Sequence, residues 1–213
     1  MLFNLGSTHS IANHFLRSLR DPVLQQDRAR FRKNVEKLGE IMAYEISKKL
    51  PYEPGLVQSP LGKTESYFLK QKPVLITVLR AGLPYFNGFQ NYFEESDCGF
   101  IGAYRKEEKE ISIQLDYLAT PSLADRIIIL IDPMLATGKS FVRSVDALIK
   151  HGKPAHIHIA SLVASPQGIQ FLQEHLKIDY TLWTFAQDET LNKQSYIVPG
   201  LGDAGDLCFG EKL

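Results

Sequence analysis

A chain of 213 residues is long enough for one large domain or two small ones, and its 44% apolar and 23% charged residues are ordinary for a globular protein. Lysine and arginine balance aspartate and glutamate to a net charge of zero, and the longest cationic cluster, Arg28-Ala29-Arg30-Phe31-Arg32-Lys33, sits on a helical pattern, so no nucleic-acid partner is expected. Cys98 and Cys208 are too few for a disulfide framework, and their spacing suits no metal site. No apolar stretch approaches the ~20 residues that span a bilayer, and the N-terminus lacks a basic region followed by an apolar core. The expectation is a cytoplasmic protein with reduced thiols and no membrane contact.

In chain order, residues 27–50 predict one helix, with Phe31, Val35, Leu38, Met42 and Ile46 recurring on one face and Pro51 closing it. Leu56 to Leu69 predicts a hairpin around Leu61-Gly62-Lys63. Pro73 opens a strand, Val74 to Leu79; a helix follows from Leu83 to Phe93, and another strand from Gly99 to Tyr104. Residues 111–118 alternate Ile111, Ile113, Leu115 and Tyr117 against polar neighbours, which predicts an exposed, two-sided arm. Ile127 to Ile131 is a short β-branched run, read as a strand with both faces covered. A helix over 138–150 follows, then strands His156 to Val163 and Ile178 to Thr184 with a helix over 166–175 between them. Strands alternating with helices imply an α/β fold with a parallel sheet covered on both faces. In such sheets ligands bind beyond the carboxyl ends of the strands, and Arg80, Arg105 and Asp132 each follow a predicted strand.

The segment Ile127 to Ser140, IIILIDPMLATGKS, carries the most chemistry. A buried strand ends in an acid, and a loop of small and hydroxyl residues leads into a helix N-terminus. The first amides of a helix have no intrahelical partner and the dipole adds positive charge, so a phosphate suits that position. Gly138-Lys139-Ser140 imitates the end of a P-loop, but GxxxxGK[ST] requires glycine where Pro133 stands. An aspartate beside a phosphate cradle suits the diol of a ribose 5-phosphate.

Asp132 to Gly138, DPMLATG, resembles the phosphoribosyl-pyrophosphate loop of uracil phosphoribosyltransferases. Leu79-Arg80-Ala81-Gly82 resembles their pyrophosphate loop, Tyr104-Arg105 the start of their mobile arm, and Tyr196 to Asp206, YIVPGLGDAGD, their uracil-binding segment. The resemblance runs from about Leu19 to Phe209 with the four blocks in the family's order. It implies a single phosphoribosyltransferase domain over residues 1–213, of type I fold, with a parallel sheet core, a small hood and a mobile β-arm. It also implies transfer of phosphoribosyl from phosphoribosyl pyrophosphate to uracil, giving UMP and diphosphate.

The site residues follow from the same resemblance. Arg80 and Arg105 would neutralise pyrophosphate with planar donor forks, and with Asp203 they form the expected catalytic set. Asp132, Pro133, Met134, Leu135, Ala136, Thr137, Gly138, Lys139 and Ser140 would hold the phosphoribosyl group. Lys139 stands where the family usually has glycine; it either adds a charge contact to the phosphate or points outward, and outward is favoured. Tyr196, Ile197, Gly202, Asp203 and Ala204 would form the uracil pocket, largely through backbone. Asp203 would face Mg²⁺, bound mainly through pyrophosphate and water rather than by protein ligands. A cis, non-proline peptide is expected in the Arg80-Ala81 neighbourhood, and Gly82 is read as a close backbone approach to ligand. GTP as an effector, and a homodimer or homotetramer, are implied as family traits. The arm departs from the family pattern in lacking a threonine after Glu108, and Leu207 stands where arginine is usual. A purine-specific enzyme, or an inactive homologue that senses nucleotides and regulates a partner, are the competing readings. YIVPGLGDAGD speaks against the first, and intact Arg80, Asp132 and Asp203 against the second. The six scattered histidines are given no catalytic role.

Overall fold

The computed structural model describes residues 1–107 and 111–212, with side chains described outside 103–115. Along the chain lie β1 (Leu2–Asn4), α1 (Ile11–Arg20), α2 (Arg28–Ser47), β2 (Tyr52–Ser59), β3 (Gly62–Leu69), β4 (Val74–Leu79), α3 (Gly82–Gln90), β5 (Cys98–Glu107) and β6 (Ile111–Ala119). They are followed by β7 (Ile127–Ile131), β8 (Met134–Leu135), α4 (Lys139–Leu148), β9 (His156–Ala160), β10 (Val163–Ala164), α5 (Pro166–His175), β11 (Tyr180–Thr184), β12 (Ala186–Gln187), β13 (Thr190–Leu191), β14 (Ile197–Val198) and α6 (Ala204–Phe209).

The main sheet has seven strands in the order β1-β11-β9-β7-β4-β5-β6. Its inner five, β11 to β5, are parallel, β1 adds a parallel edge, and β6 returns antiparallel along β5 with a register shift at Gly102/Ala103. Alternation along the buried strands divides the core in two. Leu75, Ile129 and Ile131 join Phe31, Leu38, Met42, Tyr85 and Phe86 under α1, α2, α3 and α6. Val74, Ile76, Val78, Ile128 and Leu130 join Val145, Leu148 and Leu172 under α4 and α5. This is the covered parallel sheet that the short β-branched runs demand.

Three differences from the sequence reading have local causes. The strand expected over 156–163 stops at Ala160. Ser161 N–H bonds Trp183 O at 2.9 Å and Leu162 N–H bonds Pro133 O at 2.9 Å, which swings the chain into a separate parallel sheet, β12-β10-β8. The hairpin is longer than expected, pairing Tyr52↔Leu69 through Ser59↔Gly62, with Pro60-Leu61 as its turn. Helix α1 and the short strand β1 were not anticipated. Of the mobile arm expected over 106–120, residues 108–110 lie outside the described residues, and β6 supplies the returning strand.

Candidate active site

The order of the sheet decides where a ligand can sit. The chain runs from β4 to β5 on one side, then places β7 on the other side of β4 and continues outward to β9 and β11. The carboxyl ends of β4 and β7 therefore flank a topological switch point, where the connecting segments diverge and leave a crevice. Thr77 pairs with Ile131, so Arg80 and Asp132 leave the sheet along one rim. Arg105 does not follow the end of a strand as expected. It lies within β5, which runs on to Glu107, opposite Ile113; its side chain is outside those described.

On the β7 side, Asp132 Oδ1 accepts the Met134 N–H at 3.1 Å, which sets the carboxylate over the start of the loop. The loop's carbonyls are turned into the protein. Pro133 O accepts from Leu162 N and Val163 N, Leu135 O from Ser165 N, and Ala136 O from Ser165 Oγ at 2.6 Å. Pro133, Leu135 and Ala136 are buried and Met134 half-buried, so this stretch can offer a ligand little beyond backbone. Gly138 then takes φ +77° as the N-cap of α4, and no side chain caps that helix. A Cβ at Gly138 would stand 2.8 Å from Gly168 O, so glycine is required both by conformation and by the approach of α5. The Lys139 N–H reaches Thr137 Oγ1 at 3.5 Å, a long contact that an anion at the start of α4 can replace. Thr137 and Ser140 are half-buried there, and Lys139 is exposed.

On the β4 side, the cis, non-proline peptide expected in the Arg80-Ala81 neighbourhood is Leu79–Arg80. Arg80 Nη2 donates to Asp206 Oδ1 at 2.9 Å and to Gly210 O at 3.2 Å; its Nε is buried and has no partner among the described residues. Gly82 carries a packing constraint of its own. A Cβ there would meet Thr77 Oγ1 at 2.2 Å and Ile131 O at 3.1 Å, so its constraint comes from packing α3 against β4 and β7.

The C-terminal segment closes over Arg80. Asp203 Oδ1 accepts the Asp206 N–H at 3.0 Å and caps α6, and a Cβ on Gly205 would stand 3.1 Å from Asp203 Oδ1 and 3.8 Å from Arg80 Nη2. Arg32 Nη1 on α2 donates to Cys208 O at 2.7 Å, tying α6 to α2. Burial pushes the Cys208 thiol up to about 12, so it stays protonated and inert. Tyr196 is exposed, with its N–H on Asn192 Oδ1 at 2.9 Å; Ile197 is buried in β14 against Leu191, and Ala204 is buried in α6. The glycines differ in kind. At Gly200, φ +60°, an added Cβ would collide with Ile197 O, whereas Gly202, at φ +91°, is exposed and a Cβ there would meet Leu207 only at ordinary contact distance. Gly202 alone answers the description of a backbone laid open to a flat ligand.

Two residues absent from the sequence reading organise this segment. Arg20, ending α1, forks onto Asp188 at 2.9 and 2.7 Å, and Asp188 Oδ2 also accepts the Gly200 N–H at 2.8 Å. They are 168 positions apart, so no local pattern announces the pair.

The sheet order, the arginine loop after β4 and the uncapped helix after β7 place this molecule among the type I phosphoribosyltransferases. A family model described as uracil phosphoribosyltransferase matches residues 6–211, and the chain belongs to that family. A relative from Porphyromonas gingivalis named uracil phosphoribosyltransferase is 47% identical over 214 residues, covering 100% of this chain and 99% of the relative. Another of that name from Methanothermobacter thermautotrophicus is 38% identical over 186 residues, covering 86% and 85%. Among solved structures, the AQ2163 protein from Aquifex aeolicus superimposes with a TM-score of 0.89 at 29% identity, covering both chains fully.

Proposed function

We propose that the chain transfers phosphoribosyl from phosphoribosyl pyrophosphate to uracil, yielding UMP and diphosphate. The observation that carries this reading is the switch-point crevice, with Arg80 on one lip, Asp132 and the uncapped N-terminus of α4 on the other, and the Gly202 turn beside it. Family membership over residues 6–211 supports uracil as the base.

In this reading the α4 amides, Thr137 and Ser140 hold the 5-phosphate, and Asp132 accepts from the ribose hydroxyls. As the C1–oxygen bond lengthens, charge grows on the departing pyrophosphate and on the oxocarbenium-like ribose. Arg80 answers the first with a guanidinium already at the rim, which exchanges its contacts to Asp206 and Gly210 for the anion. Arg105 is assigned the same task from β5. The base is held by the backbone around Ile197, Gly202 and Ala204, and the 106–120 arm closes to keep water from the activated sugar.

Among the described residues no three His, Cys, Asp or Glu gather as a metal cage. Asp203, half-buried beside Arg80, is a carboxylate suited to a Mg²⁺ that arrives on pyrophosphate and keeps most of its waters. When bound, that ion would neutralise the leaving diphosphate. The cytoplasmic location rests on the cysteine reading, and no helix of the described residues is long and apolar enough to cross a membrane. A homodimer or homotetramer is supported by the β2–β3 hairpin, whose Leu56, Leu61, Tyr67 and Phe68 are all exposed. GTP activation is carried over from the family resemblance. The deciding experiment is conversion of radiolabelled uracil to UMP with phosphoribosyl pyrophosphate and Mg²⁺; absence of UMP from folded protein would overturn the assignment.

A further inference from the structure

The turn at Gly200 is held from outside by an ion pair. Both of its backbone polar groups are taken: the N–H by Asp188 Oδ2 at 2.8 Å and the carbonyl by Arg20 Nη1 at 3.1 Å. The two side chains also grip one another, Nη1 to Oδ2 at 2.9 Å and Nη2 to Oδ1 at 2.7 Å. Asp188 is only 8% exposed, so its charge requires such a partner, and a planar fork can serve a carboxylate and a carbonyl together where an ammonium cannot. The next residue is held as well: with its amide nitrogen turned toward them, Gln25 donates to Leu19 O at 2.9 Å and Leu201 O at 3.0 Å.

Asp188 is itself indexed to the other half of the site. Its N–H bonds Ala164 O at 2.8 Å, and Ala164 pairs with Leu135 in the phosphate loop. An unbroken series of backbone partners therefore runs from the phosphate loop through β10 to Asp188, and through its carboxylate to Gly200. Base and sugar must meet within a few tenths of an ångström of the reacting geometry, since misplacement by about 1 Å can cost roughly 100-fold in rate.

We propose that Arg20 and Asp188 are positioning residues for base recognition, fixing the Gly200–Gly202 backbone against the phosphate loop without touching either substrate. The proposal rests on 196–206 being the base-binding segment. Asp188→Asn and Arg20→Lys keep volume while removing the charge or the fork. Each should raise KM for uracil roughly tenfold, the worth of one charge-assisted hydrogen bond, while leaving KM for phosphoribosyl pyrophosphate within about twofold. Amides 200–202 should exchange faster with deuterium, while those of β7 keep their protection and certify the fold. A uracil KM that does not move, or one that moves in step with that of phosphoribosyl pyrophosphate, would overturn the proposal. Should the parent protein make no UMP, the functional reading fails separately. Exchange at 200–202 then decides the clamp, and unchanged protection in both variants sinks it.

Discussion

Arg80 Nη2 lies 2.9 Å from Asp206 Oδ1, so the loop after β4 and helix α6 are joined by a salt bridge between residues 126 positions apart. Both side chains remain over a third exposed, and the contact is open to competition by an incoming anion. Arg80→Ala is expected to lower kcat/KM by roughly 100-fold or more, because a charge aimed at a developing anion is lost. Steady-state kinetics within about twofold of the parent would place Arg80 away from the reaction.

Asp203 caps α6, and the proposed function gives it a second, separable duty. As the N-cap of α6 it can be replaced by asparagine at little cost, since the two residues cap about equally well. As a carboxylate facing Mg²⁺-pyrophosphate it cannot. Asp203→Asn should therefore keep the parent's melting temperature yet lose turnover, while Asp203→Ala should lose turnover and about 1 kcal/mol of stability. Calorimetry beside kinetics decides, and full turnover in the asparagine variant would remove Asp203 from the catalytic set.

At the start of α4, adjacent positions should behave oppositely. Lys139 is exposed, so Lys139→Gly should leave KM for phosphoribosyl pyrophosphate nearly unchanged. Gly138→Ala must place a Cβ at φ +77° and 2.8 Å from Gly168 O, and should cost at least about 1–2 kcal/mol in urea unfolding. A large KM rise in the lysine variant would make Lys139 a phosphate ligand.

His158 gives the protein a pH dependence of known sign. Burial, helped by the neighbouring His156, lowers its pKa from 6.5 to about 3, and its Nδ1 accepts from Trp183 Nε1 at 3.2 Å. Burial lowers the pKa of His156 as well. Between pH 6.5 and about 3 the unfolded chain carries a proton on His158 that the folded chain refuses. Stability must fall as pH drops through that window, by up to about 1.4 kcal/mol per unit for this group. Urea midpoints at pH 7 and pH 5 should show a smaller loss for His158→Asn, which keeps an acceptor for Trp183. Equal losses would assign the acid sensitivity elsewhere.

The base pocket should discriminate by hydrogen-bond pattern. Cytosine replaces a uracil acceptor with a donor, leaving a backbone amide unpaired, which can cost about 10⁴-fold where the site is built for the partner. Comparable turnover of cytosine or hypoxanthine would sink the assignment of Gly202 and its neighbours.

Much of this was legible because it is local. The runs Val74–Leu79 and Ile127–Ile131 declare buried strands by composition alone, and the acid, small-residue loop and helix start of 132–140 lie in one stretch. Helix α1 could have been found: Ser10 and Asn13 form a capping box, and Leu16 and Leu19 join the core behind it. The two-residue strands β8, β10, β12, β13 and β14 are too short for any periodicity to register. The constraint at Gly82 and the Arg20–Asp188 pair depend on atoms brought together by the finished fold. At Gly82 packing imposes the same demand for glycine that a close approach to ligand would, so the residue type alone does not separate the two.

That difference in range has a kinetic consequence. The loop from Asp132 to Ser140 takes its partners from β10 and α5, within about 30 residues, whereas the Gly200 turn waits for residue 20 to find residue 188. Loop closure over such separations is slow relative to local contacts. During refolding the chain should regain affinity for phosphoribosyl pyrophosphate before it can tell one base from another.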